Sequence, residues 1–374
     1  MRVYFDSAST TRIHPEVLKT YESILGKYYV NSESLYDEGT EVFRMMEKAR
    51  RAIAGLLGVT YEDIIFTSGS SESNTSAIKG VCFANREKKH IVTTCVEHSS
   101  ILNCCKQMEN VFGYNVTYLP VDSNGRVSLE DVKKAIRPDT ALVSVMWANN
   151  ESGAVNPIED IAEYVKKHTH AYMHSDLTQA IGKTDVNLEN VDLASVSAHK
   201  LEGLKGSGIL VKKKHVPFEP LINGGEQEYG LRGGTANSPA DMVFAKTLRL
   251  ALENGEKYHS HIVAMHDELI RGLKSIDGME INSPEDALVN TVNFSYEKIP
   301  SEVMQNALNQ AGFMVSARST CASKSNDPSY VLLAMGFSPR RASCCIRVSL
   351  TYYNTMEEVQ AFINALKEIV KNYG

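Results

Sequence analysis

The chain has 374 residues, 43% of them hydrophobic and 22% charged, with a net charge of −6. This is the profile of a globular protein long enough for two domains, and its mild acidity argues against nucleic acid, which calls for a basic face. No apolar run approaches the ~20 residues of a membrane span, and the opening MRVYFDSAST lacks the charged and apolar regions of a secretory signal.

In chain order, IIFTSGSSESNTSAIKGVCFA (Ile64 to Ala84) reads as a short apolar strand, a Gly/Ser turn and a helix. The form repeats with a strand at His90 to Thr94 and a helix after His98. TALVSVMWANNESG is a buried strand ending in polar residues, and AYMHSD a further strand ending at Asp176. VDLASVSAHK and GSGILVKKK supply two more strands. Strands alternating with helices predict βαβ units and a mostly parallel sheet. Near Glu253-Asn254-Gly255 the character changes. A helix from about His259 to Ile276 leads into the strand NTVNFSY, the helix SEVMQNALNQAG, the strand FMVSA, a long polar loop, the strand CCIRVSL and a closing amphipathic helix. The expectation is an α/β protein: a large domain over 15–254, and a smaller α+β domain combining 1–14 with 255–374.

In open α/β sheets ligands sit beyond the carboxyl ends of the strands. Ser70, His98, Asn150, Asp176, Gln179, His199 and Lys200 all fall at or just past such ends, which predicts a pocket. Lys200 follows a histidine at the end of an apolar run. A lysine held at a buried rim loses its proton readily, and the neutral amine forms a Schiff base with an aldehyde; an exposed strand-end lysine is the alternative. Asp176, 24 residues upstream, suits a protonated pyridine nitrogen as well as a turn or helix cap. Gly69, Ser70 and Ser71 offer a phosphate cradle at a helix N-terminus, or simple capping. His98 suits stacking on a flat ring and proton transfer, or capping.

Cys321 lies in SARSTCASKSNDPSY, a polar stretch that reads as an exposed, mobile loop. Arg318 and Lys324 nearby would lower its thiol pKa, which marks it as a nucleophile. The seven cysteines form no C-x-x-C pair; most read as buried apolar side chains, and a reducing compartment, the cytoplasm, fits them. Arg347 is a charge inside an apolar strand, suited to a substrate carboxylate or to a structural ion pair. His168, His170 and His174 have tempting metal spacing but straddle a helix end and a strand, so no metal site is expected. GGEQEYGLRGGTANSP follows no phosphate-binding strand and is no dinucleotide fingerprint.

The ordered set YFDSASTT, FTSGSSESN, ANNESG, SDLTQAIGK, SAHK, GGEQEYGLRGGTAN and TCAS…DPSYVLLAMG…IRVSL resembles the NifS/IscS-type cysteine desulfurases nearly end to end. These are pyridoxal-phosphate enzymes of fold type I. The resemblance implies that Lys200 binds the cofactor covalently, Asp176 pairs with the pyridine nitrogen, Gln179 with the ring hydroxyl, and His98 stacks on the ring. It implies a phosphate site of Ser70, Ser71, Ser197 and His199, completed by Thr235 from the other subunit of a homodimer. Asn150 and Arg347 would hold the substrate carboxylate, and Cys321 would carry sulfur as a persulfide. L-cysteine would become L-alanine, and sulfur would pass to an acceptor protein such as an iron–sulfur scaffold or a tRNA-thiolation enzyme.

The chain departs from the family pattern in three places. NSESLY puts Ser32 and Tyr36 where proline and histidine are usual, GLKG puts Leu204 in place of proline, and ARSTC precedes the cysteine where S-G-S-A-C is common. Two rival functions follow. A selenocysteine lyase or another pyridoxal-phosphate C–S lyase would not depend on Cys321, and a sulfur-assembly scaffold would lack the cofactor's visible colour.

Overall fold

The computed structural model describes residues 2–317 and 327–373, so Arg318, Cys321 and Lys324 lie outside the described residues. The chain opens with strand β1 (Val3–Tyr4) and helices α1 (Pro15–Lys27) and α2 (Asp37–Leu57). An alternating run follows: β2 (Ile64–Thr67), α3 (Ser70–Ala84), β3 (His90–Thr94), α4 (Ser99–Phe112), β4 (Asn115–Leu119), α5 (Leu129–Ala135), β5 (Thr140–Ser144) and α6 (Ile158–His168). Then come β6 (Tyr172–Asp176), β7 (Leu193–Ser197), β8 (Gly208–Lys212) and the long α7 (Ser238–Lys274). The last part holds β9 (Met279–Ile281), β10 (Thr291–Tyr296), α8 (Ser301–Gln310), β11 (Phe313–Met314), α9 (Tyr330–Ala334), α10 (Pro339–Ser343), β12 (Cys345–Ser349) and α11 (Met356–Tyr373).

β2, β3, β5, β7 and β8 are buried at every residue, the pattern of strands covered by helices on both faces rather than alternating strands with one wet side. They build a seven-stranded sheet in the order β2-β8-β7-β6-β5-β3-β4. β3 to β7 pair in parallel, and β8 runs antiparallel to both of its neighbours. β3 lies between β4 and β5, so the winding of the chain reverses there and opens a crevice at the carboxyl ends. The expected mostly parallel α/β sheet is present.

A second, antiparallel sheet has the order β12-β10-β9. Its core of Phe294, Ile346, Val348, Phe362 and Leu366 also takes in Val3 and Phe5 from the chain's start. Hydrogen bonds stitch that start in place: Phe5 N donates to the Met314 carbonyl at 2.9 Å, and Ser349 N to the Phe5 carbonyl at 2.7 Å. The chain then crosses to the large sheet, where Thr11 N donates to the His199 carbonyl at 2.9 Å. Residues 6–11 are thus drawn between the two cores, directly over the strand ends.

The boundary expected at 254/255 falls inside α7, which runs unbroken for 37 residues. Its first half gives Phe244 and Leu248 to one core, and its second half gives Ile262, Met265, Leu269 and Leu273 to the other. Gly255 looks like a breaker in sequence. A Cβ there would strike the backbone of Gly182, so this glycine serves a close helix-to-loop approach rather than a turn.

Candidate active site

Sequence and topology converge on one cavity of about 280 Å³ at the crevice. Its wall includes Ser70 and Ser71 from the start of α3, His98 after β3, and Asn150 beyond β5. Asp176 and Gln179 come from the end of β6 and the turn after it, His199 and Lys200 from the turn after β7, and Arg347 from β12. Of the twelve residues expected to form the site, nine therefore line one space. Ser197 lies just beneath, buried, its Oγ 3.4 Å from where a Gly69 Cβ would stand. Thr235 lines a different cavity with Phe66, Ser68 and Arg232. Cys321 is outside the described residues.

Asp176 is buried, and its carboxylate is fixed on both oxygens. Oδ1 accepts from Thr178 N at 2.9 Å, and Oδ2 from Asn74 Nδ2 at 2.7 Å. The turn role and an inward-facing charge thus coexist. Asn74 also donates to Ser100 Oγ at 2.9 Å, and so ties Asp176 to the start of α4. His98 caps α4 by accepting from Ser100 N at 3.2 Å, and still lines the cavity. The capping contact thus leaves the ring beside the cavity.

Lys200 is half-buried rather than solvated, and its ammonium nitrogen donates to the carbonyls of Ala8 and, at 2.7 Å, Ser9. Beside it, burial first, and then the charges of Lys200, Lys205 and His98, push the His199 imidazole down to about 4, so that ring is neutral. Glu97 is the opposite case. Burial raises its carboxyl to about 8 against bonds from Met146 N and Thr94, so near neutrality it holds a proton. His174, one of the three spaced histidines, is a core residue bonded to Ser144 at 2.8 Å and Ser195 at 3.0 Å.

Arg347 is 1% exposed. Its Nη1 donates to the Asn150 carbonyl at 2.7 Å, and its Nη2 to Asp6 Oδ1 and Ser9 Oγ, both at 2.8 Å. The structural ion pair is real, yet the guanidinium is not spent. Nε has no protein partner among the described residues, and neither has Oδ1 of the adjacent Asn150. Buried polar atoms are rarely left so, and both belong to residues that line the cavity, which suits a polar ligand there.

The matched family and relatives decide what that ligand is. The class-V aminotransferase family profile matches residues 3–362. A NifS/IcsS protein homolog of Lactobacillus delbrueckii subsp. bulgaricus is 39% identical over 378 residues, covering 100% of this chain and 98% of its own. The cysteine desulfurase IscS of Methanosarcina thermophila is 39% identical, covering 99% of this chain and 92% of its own. A solved NifS-like protein superposes with a TM-score of 0.93 at 40% identity, with both chains fully covered. The chain belongs to the class-V aminotransferase family, in its NifS/IscS branch. Its cofactor is pyridoxal phosphate.

The residues of this NifS/IscS-family chain fit that group. Gly69 takes φ 144° at the head of α3, and a Cβ on Gly208 would stand 2.5 Å from the Gly69 Cα. Two glycines thus bring the backbone close, and the helix start offers N–H groups and a positive dipole end to a phosphate. A carboxylate for a ring nitrogen, an imidazole on the wall and an amine for an aldehyde share the same cavity. Sequence reasoning did not assign Asn74, which orients Asp176 and belongs to the quoted FTSGSSESN, or Asp6, which holds Arg347. It also missed the Ala8 and Ser9 carbonyls, which receive Lys200.

Proposed function

We propose that this enzyme is a cysteine desulfurase that removes sulfur from L-cysteine, leaves L-alanine and passes the sulfur through Cys321 to an acceptor protein. The observation that carries the reading is the single cavity in which the Lys200 amine, the Asp176 carboxylate and the partly unpaired Arg347 guanidinium meet. When bound, pyridoxal phosphate supplies an aldehyde that captures amines and a protonated ring that draws off the electron pair left at Cα.

This chain's residues do the rest. Asp176, held by Asn74 and Thr178, keeps a negative charge where the ring nitrogen needs its proton. The substrate carboxylate meets Arg347 and Asn150. Lys200 would hold the cofactor through its aldehyde, a bond that an incoming substrate amine would exchange. The freed lysine, away from the Ala8 and Ser9 carbonyls, is the base that takes the Cα proton. The Cys321 thiolate then attacks the substrate sulfur: an S–S bond forms while the Cβ–S bond breaks with its electron pair going to Cβ. Proton return completes alanine, and the persulfide on Cys321 is the cargo.

A homodimer in the cytoplasm is part of the proposal. Thr235 lies away from its own subunit's cavity, as expected of a residue serving a neighbour. The loop that carries it is pinned by a buried pair, Arg50 to Glu228 at 2.8 Å, with Glu228 at φ 49°. Leu35, at 99% exposure, and Tyr29, at 82%, leave an apolar surface before α2 that a second copy would cover. Among the described residues no helix is long and apolar enough to cross a membrane.

Incubation with L-cysteine is expected to give alanine and sulfur in equal amounts, with mass mapping finding one added sulfur on Cys321. Alanine formed without sulfur on that residue would sink the persulfide reading. Arg347→Met is expected to raise KM for L-cysteine by about 10- to 100-fold, the worth of charge-assisted bonds, with the cofactor's visible band retained. Steady-state kinetics against cysteine concentration checks this. An unchanged KM would remove Arg347 from substrate binding.

A further inference from the structure

Lys183 has no part in the chemistry above, yet it sits one residue contact from the cofactor site. Its Nζ donates to Gln179 Oε1 at 2.7 Å. The other end of the same amide, Gln179 Nε2, donates to the Ala8 carbonyl at 3.0 Å, the carbonyl that also receives Lys200. An ammonium has no lone pair, so the amide atom facing it must be oxygen. A carbonyl has no proton, so the amide atom facing it must be nitrogen. Both neighbours therefore demand the same orientation, and the usual ambiguity between amide oxygen and nitrogen is removed. Nε2 carries two N–H groups. Ala8 takes one, and the second remains for the cavity that Gln179 helps to line.

We propose that Lys183 is a positioning residue that locks the Gln179 amide with its N–H toward the cofactor, so that the ring's phenolic oxygen meets a donor and never a carbonyl. This rests on the reading of Gln179 as the ring-hydroxyl partner. The two contacts share the work. Burial, with the charges of Lys200 and Arg347, pushes the Lys183 amine down to about 7, so Lys183 enforces the orientation while protonated, and once it is neutral the Ala8 carbonyl alone dictates it. Lys183 also shares a small cavity behind Lys200 with His14, Glu202 and Tyr352. Burial raises Glu202 above the usual carboxyl range, and that carboxylate accepts from Tyr352 Oη at 2.6 Å. Its charge is thereby engaged away from Lys183.

A donor on the phenolic oxygen withdraws electron density and makes the conjugated nitrogen of the yellow chromophore less basic. Loss of that donor lets the chromophore hold its proton to higher pH. The test is a visible-absorbance pH titration of the cofactor-loaded protein, as wild type, Lys183→Met, Gln179→Met and the double variant. Lys183→Met is expected to raise the midpoint by about one pH unit, in the same direction as Gln179→Met, with no further shift in the double variant. Lys183→Arg, which keeps N–H donors and has no lone pair to offer the amide, is expected to stay near the wild-type midpoint. An unmoved midpoint in Gln179→Met overturns the reading of Gln179 itself. A shifted Gln179→Met with an unmoved Lys183→Met overturns the lock alone. Additive shifts in the double variant overturn it too, because Lys183 would then act through its own charge. An arginine variant shifted as far as the methionine one has the same consequence.

Discussion

Lys200→Ala is expected to lose covalent cofactor attachment entirely and to lower sulfur release by about 10⁴-fold or more. Nucleophile and general base are one side chain here, and a positioned base alone is worth ~10²–10⁴. Borohydride treatment followed by mass analysis of the peptide containing residue 200 reads the first effect, and sulfide assay the second. Stability is expected to move little. Lys200 gives hydrogen bonds to two carbonyls, and Ala8 keeps a donor from Gln179 after the lysine is gone. Of the two bonds, the one to the Ser9 carbonyl is lost, worth ~1 kcal/mol, offset by relief from holding a half-buried cation. An alanine variant with near-normal thermal unfolding and no fixed cofactor separates chemistry from scaffold. Covalent cofactor found in that variant would remove Lys200 from its role, and with it the account of Cα deprotonation.

The convergence of the site was legible because of a property of parallel sheets. Every strand of such a sheet delivers its carboxyl end to the same edge, so polar residues following apolar runs meet there whatever their separation in the chain. Ser70, His98, Asp176 and Lys200 could be placed together on that ground alone, and one cavity contains them. Residues whose purpose is set by a partner far along the chain were not legible in this way. Asn74 reaches Asp176 across 102 positions, and Asp6 reaches Arg347 across 341. No local period announces either pairing. The carbonyls of Ala8 and Ser9 are invisible in principle, since a backbone oxygen has no residue type.

Elements shaped by tertiary contact show the complementary lesson. Asn254-Gly255 has the composition of a turn, but the helix continues through it because the chain near Gly182 packs against that point. Tertiary contact outweighed the helix cost of one glycine, ~1 kcal/mol. β4, with only Leu119 fully buried, carries too weak an apolar pattern to stand out as a strand, and pairing with β3 is what makes it one.

Cys321→Ala is expected to divide the reaction in two. The alanine variant keeps the Lys200 attachment, the visible band and exchange of the substrate's Cα proton with deuterated solvent, all of which precede any sulfur transfer. Release of sulfur falls to background, a loss of about 10³-fold or more for a deleted covalent nucleophile. The described residues on either side of 318–326 are fastened close to the cavity. On one side Ser316 pairs with Arg347, its carbonyl accepting from Arg347 N at 2.7 Å. On the other, Ser329 Oγ donates to Glu151 at 2.6 Å, and Tyr330 Oη to the Glu97 carbonyl at 2.7 Å. Both ends are thus fastened beside Asn150, His98 and Arg347, at the cavity's rim. Proton exchange measured by NMR in deuterated water, alongside sulfide release, distinguishes the outcomes. Lost exchange would make the cysteine part of the cofactor site itself, and retained sulfide release would mean that sulfur leaves without touching a protein thiol.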